Sequence, residues 1–198
     1  LRFAFPYLEA GRRMPGPAAH AVATWRAVQA CAGDGDPPFW AAGKSYGGRM
    51  ASMAAAEGAI DPAGLVYLGY PLHPPGDPAK ARTAHLPDIR QPQLFVEGTK
   101  DPFIDPRTQL EEAVASCRDA SISWIDGGGH SFEVAGRKRP ADEVRYLDAD
   151  LDDLFLLLGR DREGDPARLL FRDVPLIVSG LCYALAVVAL LRWLPTGA

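Results

Sequence analysis

The stretch Pro38-Phe39-Trp40-Ala41-Ala42-Gly43-Lys44-Ser45-Tyr46-Gly47-Gly48-Arg49-Met50 decides how the rest of the chain is interpreted. A short apolar run ends there in Gly-x-Ser-x-Gly, and good helix formers follow from Arg49 to Glu57. A strand, a sharp turn and a helix in this order are typical of a nucleophile elbow, which would present the hydroxyl of Ser45. Flanking glycines let the strand and the helix approach closely. The backbone N–H of Tyr46, at the helix start, would stabilise a developing oxyanion.

This stretch has two other interpretations. A glycine-rich turn is the simpler one, because the chain has 20 glycines in 198 residues. A phosphate-binding loop is the second, because Gly43-Lys44-Ser45 resembles its last part. That loop needs a glycine at the position of Pro38, and proline has a fixed φ and no N–H to offer a phosphate. The sequence therefore argues against nucleotide binding.

Composition describes a globular protein with one core. Apolar residues make up 47% of the chain and charged residues 23%. The net charge of −4, without a long basic run, argues against a nucleic-acid partner. Three widely spaced cysteines predict neither a disulfide framework nor a thiolate metal site.

Strands alternate with helices along the chain, which predicts an α/β fold with a mainly parallel, doubly wound sheet. The predicted helices share apolar residues at helical spacing or a capping pattern, and they cover 18–32, 49–57, 105–117 (capped by Asp105) and 141–158. The predicted strands are short apolar runs at 1–5, 39–42, 65–68, 94–97 and 122–125, and a loop is predicted over 9–17.

Three residues with complementary chemistry each follow one of these strands. Ser45, Asp101 and His130 stand in the order Ser, acid, His that the hydrolase fold uses, and the carboxyl ends of parallel strands share one edge of a sheet. We interpret Ser45 as the nucleophile, His130 as its base and Asp101 as the acid that orients the base. The alternatives are a simple Asp-Pro turn at Asp101 and a solvated loop histidine at His130.

A proline-rich passage from Tyr70 to Pro78 also leaves a strand end and cannot be a helix or a central strand. Ligand crevices form at such places in open α/β sheets. We therefore expect Tyr70, His73 and His85 to line a substrate pocket, with an ordinary surface loop as the alternative for the two histidines. No metal or organic cofactor is predicted.

Several ordered motifs resemble the KANL/Tex-type α/β-hydrolase-like family, which is related to dienelactone hydrolases. They are Phe5-Pro6-Tyr7, Gly43–Arg49, Gly69–Gly76, Thr83–Pro87, Gly98–Asp101 and His130–Phe132. The resemblance covers residues 1–158. It implies an α/β-hydrolase fold and the same three catalytic residues, and it implies no particular substrate.

The resemblance also implies a strand and a His-Gly-Ala-Gly-like loop ahead of Leu1, where a second oxyanion N–H would lie. We therefore expect the hydrolase domain to lack its first strands. Loss of one such donor typically lowers the rate by about 10²–10³-fold. Gly129 stands where an acidic residue is common in that family.

The last part of the chain has a different composition. Residues 174–191 carry no charge, Trp193 follows, and arginines are more frequent before this run than after it. We expect 159–173 to be a linker and 174–194 a hydrophobic helix that contacts or spans a membrane, with the hydrolase part in the cytoplasm. A helix buried against the protein is the alternative. Residues 164–191 also resemble the end of UbiA-type membrane prenyltransferases, without any catalytic helix of that family.

Two functional hypotheses follow from these patterns. The first is a serine hydrolase that acts on a small-molecule carboxylic ester or related acyl bond. The second is a catalytically inactive hydrolase-fold interaction module, held at a membrane or in a complex, which the expected absence of the oxyanion loop and the apolar tail favour.

Overall fold

The computed structural model describes residues 2–32, 39–132 and 185–190, which belong to one structural unit. The strands of this part are β1 (Arg2–Ala4), β2 (Phe39–Lys44), β3 (Gly64–Leu68), β4 (Gln93–Gly98), β5 (Ala120–Ile125) and β6 (Leu185–Leu190). Its α-helices are α1 (Pro6–Glu9), α2 (Ala18–Ala32), α3 (Tyr46–Ala56) and α4 (Arg107–Ala115).

These strands form one sheet in the order β1-β6-β2-β3-β4-β5. The strands β2, β3, β4 and β5 pair in parallel, which confirms the parallel α/β sheet predicted from the sequence. All residues of β4 are buried, as expected for a central parallel strand. Because the four strands run in one direction, the loops that follow β2, β3, β4 and β5 gather at one edge of the sheet.

The helices bury the faces that their apolar residues mark. Helix α2 has the predicted bounds, and Trp25 is fully buried at its centre. Helix α3 packs on α2 and on β2, and α4 packs on β5. Both α2 and α3 contribute to the same core cluster as the central strands.

Two local predictions need correction. Helix α1 begins at Pro6, ahead of the loop predicted from Glu9, because proline is well suited to a first helical position. Helix α4 begins at Arg107 and not at Asp105. Pro106 has an extended backbone (φ −80°, ψ 140°) and occupies the N-cap position, so Asp105 is not the cap.

The apolar tail is the larger correction. Residues 185–190 form strand β6, which pairs antiparallel with both β1 and β2, so the prediction of a helix over 174–194 is wrong for these six residues. A short apolar run containing Val187 and Val188 suits a strand as well as a buried helix. The other residues of that predicted helix, and the helix predicted over 141–158, lie outside the described residues. Within the described ranges, no helix has the length and apolar character needed to cross a membrane.

Candidate active site

Ser45 lies between β2 and α3 with φ 50° and ψ −119°, a backbone conformation that side chains other than glycine rarely adopt. Its N–H donates to the carbonyl oxygen of Leu68 at 2.9 Å, and its own carbonyl accepts from the N–H of Arg49 at 3.1 Å. The turn is therefore fixed on one side by β3 and on the other by the first turn of α3. This is the strand, turn and helix arrangement that the sequence predicts.

Two glycines allow this turn to close. A Cβ on Gly43 would lie 2.4 Å from the nitrogen of Gly48, and a Cβ on Gly48 would lie 2.5 Å from the oxygen of Gly43. Both contacts involve backbone atoms, which cannot move aside as a flexible side chain can. The close approach therefore joins Gly43 to Gly48, one residue beyond the Gly-x-Ser-x-Gly pattern.

The structure brings the three predicted residues together. The Nε2 atom of His130 lies 2.8 Å from the Oγ of Ser45, and its Nδ1 lies 2.7 Å from an Oδ2 of Asp101. A carboxylate can only accept, so Nδ1 carries the proton in this arrangement and Nε2 accepts from the serine hydroxyl. The three residues follow β2, β4 and β5, and they form one continuous hydrogen-bonded chain at the carboxyl edge of the sheet.

Asp101 is held in place through both of its carboxylate oxygens. The side chain is fully buried, and Oδ1 accepts a hydrogen bond from the N–H of Phe103 at 2.8 Å while Oδ2 meets His130. One oxygen of Asp101 thus caps the Asp101-Pro102 turn while the other contacts the imidazole, so the turn does not compete with the predicted role as acid. The ring of Phe103 lies against His130, with centroids 4.2 Å apart.

The imidazole of His130 is enclosed from several sides. Its side chain is 20% exposed, and its backbone oxygen accepts a hydrogen bond from Nζ of Lys44 at 2.8 Å. Gly69, with φ +65°, packs so closely that a Cβ there would lie 2.8 Å from the His130 oxygen and 3.4 Å from its Nδ1. Lys44, at the end of β2, thus contacts the loop that carries the histidine.

Tyr46 is the first residue of α3, so its backbone N–H belongs to the group at a helix start that has no partner within the helix. The helix dipole adds partial positive charge at this end, beside the hydroxyl of Ser45. The Tyr46 ring packs edge-on against Phe5 and Tyr7, with centroids 5.7 and 6.1 Å away. Burial raises the pKa of its phenol.

A second Ser–His pair lies deeper in the same helix. Ser52 is fully buried, and its Oγ lies 2.7 Å from Nε2 of His85 and donates to the carbonyl oxygen of Arg49 at 2.7 Å. Because Ser52 donates its single hydroxyl proton to the backbone carbonyl of Arg49, Nε2 of His85 must donate a hydrogen bond to the Oγ of Ser52. Burial lowers the pKa of His85 to about 4, with the charge of Arg49 as the next cause. A histidine that already carries its proton on the atom facing the serine cannot serve it as a base.

The residues expected to line a substrate pocket lie in other surroundings. Tyr70 and His73 are fully buried, and His85 is bound to Ser52. None of the three lines either of two cavities seen in the described part of the chain. One cavity, of about 260 Å³, is bounded by Phe5, Tyr7 and Tyr46 among others. The other, of about 440 Å³, lies beside Asp101 and the start of α4.

Sequence reasoning missed Glu97, which is fully buried near the end of β4. One carboxyl oxygen accepts a hydrogen bond from the N–H of Tyr70 at 2.5 Å. Burial holds the pKa of this carboxyl well above its usual range, and the nearby Asp101 carboxylate raises it further. A glutamate that ends the apolar run Leu94-Phe95-Val96 was the available signal. Among the described residues, no group of three or more His, Cys, Asp or Glu side chains is arranged to bind a metal ion.

Several solved structures are similar to parts of this chain. A predicted CIB-like hydrolase from Thermoplasma acidophilum is 20% identical, with a TM-score of 0.49 over 70% of this chain and 60% of that one. An α/β serine hydrolase homologue from Coxiella burnetii is 19% identical, with a TM-score of 0.47 over 75% of this chain and 62% of that one. A dienelactone hydrolase from Anabaena variabilis is 23% identical, with a TM-score of 0.40 over 59% of this chain and 47% of that one. The chain thus spans less than two thirds of the length of these proteins.

The sequence match to a protein family is more extensive. Residues 1–150 match the family described as alpha/beta hydrolase domain, which supports the enzyme class, a hydrolase, that the sequence predicts. The match ends before the apolar tail, and the predicted likeness of that tail to prenyltransferases has no finding in its support. Because the match covers well over half of the 198 residues, the chain belongs to the alpha/beta hydrolase family.

Proposed function

We propose that this protein is a serine hydrolase that cleaves a carboxylic ester or related acyl bond through an acyl-enzyme on Ser45. One observation carries the proposal: a continuous hydrogen-bonded chain runs from Ser45 through His130 to the buried carboxylate of Asp101. A serine hydroxyl becomes an effective nucleophile when a base removes its proton, and the base needs a third group to fix its tautomer. Each of these requirements has one residue to meet it.

The reaction would proceed in two halves. In the first, Oγ of Ser45 attacks the ester carbonyl while its proton passes to Nε2 of His130, and the imidazolium then protonates the departing alcohol. In the second half, His130 takes a proton from water, the resulting hydroxide attacks the acyl-enzyme, and the proton returns to Ser45 as the acid leaves. Asp101 stays ionised and stabilises the imidazolium in both halves.

The oxyanion of the tetrahedral intermediate would accept a hydrogen bond from the backbone N–H of Tyr46. The resemblance to KANL/Tex-type hydrolases, which remains part of this proposal, expects a second donor from a preceding loop. Each such donor typically contributes about 10²–10³-fold to the rate.

The substrate would be a small ester. The cavity of about 260 Å³ reaches Tyr46, the residue next to the nucleophile, and its wall includes the rings of Phe5 and Tyr7. That volume suits a compact apolar group better than a long acyl chain. The chemistry requires no metal or organic cofactor, and we place the reaction in the cytoplasm, as expected from the sequence.

Labelling with a fluorophosphonate probe tests this proposal, because such probes react with activated serines. We expect an adduct on Ser45, located by peptide mass spectrometry, and loss of that adduct in His130→Ala. A folded chain that remains unlabelled would instead favour the inactive interaction module. An adduct on Ser52 would show that the nucleophile is assigned to the wrong residue.

A further inference from the structure

We propose that Glu97 is a positioning residue for this site: its side chain holds the turn Gly69–Tyr70 against the imidazole of His130. The inference rests on the proposed function, because it concerns the geometry of the proposed base. Glu97 lies in β4, four residues before Asp101, and it touches no part of the Ser45–His130–Asp101 chain through a hydrogen bond of its own.

The side chain of Glu97 contacts the backbone of Tyr70. The carboxyl group is 0% exposed, and one oxygen accepts the backbone N–H of Tyr70. The other oxygen is also buried and has no hydrogen-bond partner among the described residues. A buried backbone N–H needs an acceptor, so the side chain of Glu97 supplies locally what a neighbouring strand would otherwise provide.

The turn Gly69–Tyr70 is bonded to β4 and packs against His130. Gly69 precedes Tyr70, and its own N–H donates to the carbonyl oxygen of Val96 at 2.9 Å. Both ends of the turn are thus bonded to β4, through Val96 and Glu97. Because a Cβ on Gly69 would lie 2.8 Å from the oxygen and 3.4 Å from Nδ1 of His130, the turn forms a close wall for the imidazole. Releasing Tyr70 would let this wall move and the ring rotate away from Ser45.

Charged groups face Glu97 from two neighbouring elements, Asp101 from the turn after β4 and Lys44 from β2, and His130 lies beyond Gly69. Burial, with Asp101 as a further cause, keeps the pKa of Glu97 well above its usual range, although Tyr70 and Lys44 act in the opposite direction. A raised pKa favours the neutral form of Glu97, and the carbonyl oxygen of that form can still accept a hydrogen bond from the N–H of Tyr70.

Two substitutions separate positioning from charge. Glu97→Gln keeps an oxygen acceptor and is neutral, so kcat should stay within about threefold of the wild type, with the same acidic limb in the pH profile. Glu97→Leu removes the acceptor, and kcat should fall by about 10- to 100-fold with KM little changed, since small displacements of a base are costly. Gln93→Leu is the matched control, because Gln93 is a buried polar residue at the opposite end of the same strand. It should lower the thermal midpoint without this loss in kcat.

A measurement independent of activity completes the test. In the proton NMR spectrum, the hydrogen-bonded Nδ1 proton of His130 should be seen in the wild type and in Glu97→Gln, and it should be broadened or lost in Glu97→Leu. Wild-type kcat in a folded Glu97→Leu, or an equal loss in both Glu97 variants, would overturn the inference. Should Ser45 resist fluorophosphonate while the NMR signal follows this pattern, the proposed function fails and the positioning role stands.

Discussion

Two Ser–His pairs lie along helix α3, one with its serine at the N-cap and one with its serine inside the helix. Their Oγ–Nε2 distances are almost equal, but the chemistry open to each pair differs. In one, Ser45 and His130 are 2.8 Å apart, and in the other, Ser52 and His85 are 2.7 Å apart. Only the first has a carboxylate on the far nitrogen of the imidazole, which sets the tautomer that accepts from the serine. In the second, the hydroxyl proton is already donated to a backbone carbonyl.

The comparison shows that a short Ser–His distance is not in itself a sign of a nucleophile. The backbone differs too, since Ser45 sits at a strained turn and Ser52 in the middle of a regular helix. Exposure differs as well, because Ser52 is fully buried while Ser45 is only partly so. What distinguishes the two pairs is the third partner, the direction of the proton and access for a substrate.

The largest expected effect comes from removing each serine in turn. Ser45→Ala should lower esterase kcat by about 10⁴-fold or more, because it removes the hydroxyl that forms the proposed acyl-enzyme. Ser52→Ala should leave kcat within about threefold and lower stability by about 1–3 kcal/mol, because the N–H of His85 loses its acceptor. Steady-state assays and urea denaturation of both variants measure these effects. Equal loss of activity in the two variants would contradict the distinction drawn here.

The next effect is expected at the third partner. Asp101→Asn keeps the shape of the side chain but lets the amide favour the wrong imidazole tautomer, so kcat should fall by roughly 10³- to 10⁴-fold. The loss should be seen in single-turnover labelling of Ser45 as well as in steady state. Asp105→Asn is a suitable control, since Asp105 is exposed and neither caps α4 nor meets His130. If Asp105→Asn lost as much activity as Asp101→Asn, the assignment of Asp101 as the acid would be contradicted.

The smallest effect is a pH dependence of stability at His85. Its pKa is about 4 in the folded protein, below the ordinary value of 6.5. The unfolded chain therefore binds more protons between these values, so this stabilising contribution is complete above pH 6.5 and is lost as the pH falls towards 4. His85→Gln keeps an N–H donor but does not titrate. The free energy of unfolding should fall less between pH 7.5 and 5 in this variant than in the wild type, and an identical fall in both would count against the assignment.

The fold and the three residues of the site were accessible from the sequence because their signals are local and ordered. The glycines around Ser45 mark a turn that few other sequences allow, and the apolar runs mark the strand ends that carry Asp101 and His130. Their shared edge then follows from parallel strands alone. The catalytic roles themselves remain predictions until the labelling experiment is done.

Other features could not be predicted because they depend on long-range packing. The proline-rich passage reads as a loop, and nothing in it shows that Tyr70 and His73 are buried or that Tyr70 is bound to Glu97. The length and apolarity of the tail predict a helix, whereas the strand at 185–190 depends on pairing with β1 and β2, which lie far earlier in the sequence. Similarly, only the folded chain reveals that Ser52 has a histidine within hydrogen-bond distance.

The position of the three residues on separate strands links reactivity to the folding pathway. His130 lies 85 residues from Ser45 and 29 from Asp101, so both contacts require closure of long loops. The Ser45–His130 contact spans far more of the chain than the pairings of neighbouring parallel strands, so we expect it to form after the local helices and those pairings. During refolding, reactivity of Ser45 towards a fluorophosphonate should therefore recover after the far-UV signal. The probe that identifies the nucleophile would then also serve as a clock for the last step of assembly.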